Sequence, residues 1–185
     1  MGTPSRHVVI VALATLGLTC VGPTVSAAQD SPASALGLHK STIRTVSPVL
    51  RKLVGDASER SQTFRELVAA IDATDGLVYL TVGTCGRLRA CLLHRMSVAG
   101  PHRVLNIIVD AQHHDLTLTA AIGHELKHAL EVLGDARLRT DLDIFSFYKM
   151  HGVEVKGVIE TRAAIAAGEA VRDEVSRSMA TASAR

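Results

Sequence analysis

Apolar positions along this chain change their period several times, and each change marks an element. From Val8 to about Val21 they are nearly continuous, behind a short basic start with Arg6 and His7. That run is too short to span a bilayer comfortably, and Val25-Ser26-Ala27 after it matches the small-x-small rule for signal peptidase. Residues 1–27 are therefore expected to be a cleaved signal peptide. Residues 28–40 are small and polar without periodicity, which predicts a flexible linker. The domain is expected over 41–185, with no stable membrane span after cleavage.

Within that domain the spacing predicts a helix around 46–55 and a clearer one from Ser61 or Gln62 to Ala73. In the second, Phe64, Leu67, Val68 and Ile71 repeat at i, i+3, i+4, i+7, so this helix should dock on a sheet. Asp75-Gly76 breaks the period, and Leu77–Val82 reads as a strand. A second strand is expected over Arg87–Arg95, a turn at Ala99-Gly100-Pro101, and a strand buried on much of both faces over Val104–Val109. A helical period returns from Asp115 to Leu133, with Gly134 as its stop. A short helix over 136–150 and an Ala-rich helix from Val158 to Met179 complete the pattern. The fold class is α+β, a small mixed sheet packed on helices.

Composition narrows the function. The net charge of +2, from 20 Lys and Arg against 18 Asp and Glu, is too balanced to draw a protein onto nucleic acid. Aromatic residues are only 3% with no Trp, so a stacking platform for bases is excluded as well. Cys20 lies in the leader but lacks a small residue directly ahead of it, so lipid attachment is not expected. Cys85 and Cys91 are separated by five residues, too many for a Cys-x2-4-Cys metal knuckle. In an exported chain, periplasmic or extracellular in a bacterium, they are expected to form a disulfide.

The candidate chemistry lies in His124-Glu125-Leu126-Lys127-His128. Two histidines four apart on a helix stand one turn above each other and can reach one cation from the same side, with Glu125 beside them. Placed at 100° intervals, they share a face, while Ile122, Leu126, Ala129 and Leu133 cluster opposite. Zinc is the expected metal, and a catalytic zinc needs three protein ligands and an open position. The third ligand is not the histidine of the metzincin pattern, because Glu131 and Gly134 occupy its Gly and His positions. Asp135, Asp141, Asp143, His151, Glu154 and Glu160 remain. Glu160 is preferred, because a helical wheel puts it on the packing side with Ala163, Ala164, Ala167 and Val171, where a carboxylate needs a cation. His151 is its main rival.

The strings Ile122-Gly123-His124-Glu125-Leu126-Lys127-His128-Ala129-Leu130-Glu131-Val132 and Ile159-Glu160-Thr161-Arg162-Ala163-Ala164 resemble the gluzincins, zinc metallopeptidases with a glutamate ligand on a later helix. They are similar in particular to small exported bacterial proteins of unassigned activity. The likeness covers roughly residues 75–175. It implies a minimal zincin-like domain in which His124, His128 and Glu160 bind zinc and Glu125 is the general base. The chain departs from thermolysin-like members in having Ile159 rather than Asn before the glutamate, and in lacking their later segment with a transition-state histidine.

The expected activity is hydrolysis of a peptide or protein substrate, with a zinc-bound water activated by Glu125. Tyr148 or His151 could donate to the oxyanion, and the strand over 103–109 could offer its edge to an extended peptide. His102, His113 and His114 read as exposed loop residues. The alternatives are a non-catalytic, zinc-stabilised envelope binding domain and a leader-tethered protein in which the motif is accidental.

Overall fold

In the computed structural model, residues 41–155 and 157–184 are described, so the expected signal peptide, the linker and Cys20 lie outside the described residues. Strand β1 (Ile43–Arg44) leads into helices α1 (Pro48–Arg60) and α2 (Gln62–Asp72). Strands β2 (Gly76–Val82), β3 (Ala90–Leu92), β4 (Ser97–Ala99) and β5 (His102–Val109) follow. Helices α3 (Leu116–Leu133) and α4 (Asp141–His151), the hairpin β6 (Val153–Val155) and β7 (Val158–Glu160), and α5 (Arg162–Ser183) complete the fold. It is α+β, with five helices among the described residues and a small mixed sheet.

In that sheet β5 is central. It pairs in parallel with β2, with Leu77 opposite Val104 and Val82 opposite Val109, and β2 pairs in parallel with β1. On its other side β5 pairs antiparallel with both β3 and β4. The strand expected to offer its edge to a peptide is therefore paired along both sides. Nor is it buried on both faces. Arg103, Leu105, Ile107 and Val109 are buried while the residues between them are half-buried, because helices cover one face and the period of two sends alternate side chains to the other.

The buried face joins Val78, Leu80, Leu105 and Ile107 to Phe64, Ile71, Ile122 and Leu126 in one core. Ser61 starts α2 by accepting from the Phe64 amide, and its hydroxyl donates to Glu174 of α5 at 2.6 Å. The expected α2 contact with a sheet is thus shared with the helices, since Thr63 bonds the same glutamate.

Four expected boundaries move, each for a local reason. The first helix runs on to Arg60, where Ser61 ends it and caps the next. The strand expected over 87–95 shortens to Ala90–Leu92, and a separate β4 pairs with the other end of β5. The helix expected from 136 begins at Asp141, because Thr140 and Asp143 form a capping box there. The final helix does not include Val158–Glu160. Gly157, at φ 85°, turns the β-branched Val153–Val155 and Val158–Ile159 segments into a hairpin, and Thr161 caps the helix by accepting from Ala164.

Cys85 and Cys91 are disulfide-bonded, with a Cα–Cα distance of 6.0 Å. The sequence separation is 6, so the bridge closes only a short loop. Replacing both by serine is expected to cost ~2 kcal/mol, read as a lower urea midpoint with unchanged slope.

Candidate metal centre

Helix α3 sets two of the three converging groups. Asp115 starts it by accepting from the Leu118 amide at 2.8 Å, and Leu118, Ile122, Leu126 and Ala129 anchor it with no exposure. The helix is buried more widely than its wheel suggests: His128 and Glu125 are buried too, while His124 is partly exposed. Helix α5 comes close at His124, because a Cβ on Gly168 would lie 3.1 Å from the His124 Cβ and 3.2 Å from the Ala120 carbonyl oxygen. A methyl group there would need its neighbours to give by a few tenths of an ångström.

The third group is Glu160. It reaches the site from the end of β7 rather than from a helix, so the wheel that selected it does not describe its position. One of its oxygens, Oε2, lies 2.7 Å from His124 Nε2 and 2.9 Å from His128 Nε2. One ligand atom from each of His124, His128 and Glu160 lies within 4.8 Å of the others, and the group could hold a metal ion.

Around the three, a shell of contacts fixes orientation. His128 Nδ1 faces Glu131 at 3.1 Å, and Glu131 accepts from the Thr161 hydroxyl at 2.7 Å. With one imidazole nitrogen committed to a carboxylate, the other is aimed at the shared point. Desolvation works against a charged His128, but its bonds to Glu131 and Glu160 prevail and raise it to about 9. Burial pushes Glu160 up, yet its bonds to His124 and His128 prevail and hold it at about 2. Positive and negative charge are thus strongly coupled here, and a cation between the nitrogens and the carboxylate would take the place of shared protons.

Glu125 stands beside this group. Its Oε2 accepts from the Leu92 amide at 2.7 Å, and its Oε1 is 4.0 Å from His124 Nε2. Burial raises its carboxyl above the usual carboxylate range, against the pull of His128 and His124.

The other expected residues divide. Tyr148 lies against the site, its ring 5.2 Å from that of His128, but its hydroxyl donates to the His128 carbonyl at 3.1 Å. It therefore acts as a brace for α3 in this arrangement. His151 is exposed at the end of α4, with its ring 4.8 Å from that of Phe147, and does not join the three. Asp135 pairs with Arg137, Asp141 accepts from the Met96 amide, Asp143 caps α4, and Glu154 is exposed on β6. His113 and His114 are exposed, whereas His102 is a half-buried β5 residue facing the Asp75 carbonyl.

Two hollows meet at the centre. One, on the His128 side, has apolar walls from Leu88, Leu92, Phe145, Val158 and Ile159. The other runs between α3 and α5 from His124 over Ala120, Ala121 and Gly168. Two contributors were not selected from the sequence. His94 lines the first hollow and stacks on Tyr148 at 4.8 Å, and burial there lowers its pKa. Nothing in its surrounding sequence points to that role. Glu131 has a readable signal, since it stands one turn after His128 on the same helix.

Comparison with protein-family models, with curated proteins and with solved structures finds no match to this chain.

Proposed function

We propose that this chain is an exported zinc-dependent hydrolase of the gluzincin type, acting on peptides. The observation that carries this reading is the convergence of His124, His128 and Glu160 with Glu125 beside them. Two imidazoles and one carboxylate suit zinc, three protein ligands leave a coordination position open, and the Glu131 contact with His128 is the outer support such a site requires. A zinc ion held there would supply Lewis acidity and a water acidic enough to lose its proton near neutral pH.

The chain's own residues would do the rest. Glu125, held by the Leu92 amide, would accept that proton and return it to the leaving amine. The apolar hollow would hold a substrate side chain away from water. Export fits the disulfide and the absence, among the described residues, of a helix long and apolar enough to cross a membrane.

The test is zinc content by mass spectrometry with calorimetric zinc titration. Wild type should hold about one zinc per chain. His124→Ala should abolish binding, and Glu160→Ala should weaken it and lower the melting temperature, with partial recovery at high zinc. If Glu160→Ala binds like wild type while His151→Ala does not, the third ligand is His151 and the gluzincin reading falls.

A further inference from the structure

The groove on the His124 side carries charge that the metal centre does not use. Its floor is small, at Ala120, Ala121 and Gly168, and its walls bring in Arg87 from the connection before β3 and Arg172 from α5. Gly168 and Arg172 are four apart, so Arg172 lies on the same face of α5, one turn beyond the point where that helix lies against His124.

Arg87 makes no hydrogen bond or ion pair with another described residue. Arg172 has only its neighbour Asp173, at 3.9 Å and with both side chains at least half exposed. The third arginine of the groove is already engaged, because Arg89 bonds the Asp115 carboxylate and the His113 carbonyl. Beside these two guanidinium groups the groove sets Glu169, while Glu125 and Glu160 at its head are bonded to Leu92 and to the histidines. Arg87 thus has no acidic partner among the described residues and Arg172 only an exposed one, so both keep planar, forked donors, the geometry that matches a carboxylate.

We propose that this groove binds a carboxylate of the substrate beside Arg87 and Arg172, so that preferred peptides present either a free C-terminus or an acidic side chain on the His124 side of the bond to be cleaved. The proposal rests on the metallopeptidase reading and adds the substrate class to it. Arg87 and Arg172 are specificity residues, and neither is needed for the metal.

Binding separates the two claims. Fluorescence anisotropy is measured on the full chain carrying Glu125→Gln, with zinc quantified in the same material. The probes are three peptides of one apolar sequence: a C-terminal acid, its neutral amide, and the amide with one Asp near its end. The acid, the Asp peptide or both should bind about tenfold more tightly than the neutral amide, a factor worth ~1.4 kcal/mol. Adding Arg87→Gln and Arg172→Gln should reduce that preference below about twofold, the size left when an exposed charge pair is lost, without moving the melting temperature. Preference for the acid alone assigns the groove to a chain terminus, and preference for the Asp peptide assigns it to a side chain. With zinc present, equal binding of all three peptides, or a preference that survives the double substitution, overturns the groove assignment alone. Absence of zinc, or of any peptide binding, overturns the metallopeptidase reading and this proposal with it.

Discussion

Glu125→Gln is expected to lower peptide hydrolysis by at least ~10²-fold, the lower range for loss of a general base, while zinc content and melting temperature stay at wild-type values. The substitution is nearly isosteric. Its carbonyl oxygen can keep the bond from the Leu92 amide, so strand β3 and helix α3 remain tied. The amide nitrogen then occupies the place of Oε1, near His124, and presents a donor where a proton acceptor is needed. Steady-state assays paired with zinc analysis check this. A wild-type protein that binds zinc and hydrolyses nothing, with Glu125→Gln indistinguishable from it, would replace the enzyme with a zinc-stabilised binding domain.

The largest loss of stability is expected from Arg103→Met. Arg103 has 1% exposure, and its guanidinium donates to both oxygens of Asp75 and to the carbonyls of Val132, Leu133, Asp135 and Leu138. Those carbonyls include the last turn of α3 and the loop after it, so one side chain from the central strand satisfies the end of the helix that carries His124 and His128. Methionine fills similar volume but leaves the carbonyls and the Asp75 charge without a partner. The Asp75 side chain is 35% exposed and its freed charge is partly solvated. The cost therefore comes mainly from carbonyls left without a donor, ~3 kcal/mol, which for a domain of this size lowers the melting temperature by on the order of 10 °C. Differential scanning calorimetry would measure it, and a fall of only about 2 °C would refute the assignment. The pH dependence follows from the same pair. The Arg103 guanidinium lowers the Asp75 carboxyl, so its contribution is present above the unfolded value of about 4 and is lost as pH falls through the lower folded value. In Arg103→Met that acid-sensitive part disappears.

The helix bearing the motif was legible because its apolar positions hold a helical period for five turns and Asp115 and Gly134 bracket it. The pairing of Cys85 with Cys91 was legible from spacing and expected compartment. Glu160 was reached by an argument about a helical face, although the residue lies on a strand. The hairpin escaped notice because Ala-rich sequence after residue 162 has high helix propensity, and the β-branched residues before it are few enough to be absorbed into that pattern. Arg103 gave no sign at all. An arginine in an apolar strand reads as the exposed end of the strand, and only the fold brings the open end of α3 onto it.

The hairpin has a consequence for how tightly any cation could be held. His124 and His128 share one helix locked into the core, but Glu160 sits at the end of two three-residue strands whose Val153, Val158 and Ile159 are each 37% exposed. No described residue of this hairpin is fully buried, so it is expected to open more readily than the helix that carries the histidines. The apparent dissociation constant of the site is then the intrinsic one divided by the fraction of molecules with the hairpin shut. Affinity at this centre is therefore expected to depend on residues 153–155 and 157–159, none of which is a ligand in the group, as well as on the three that are.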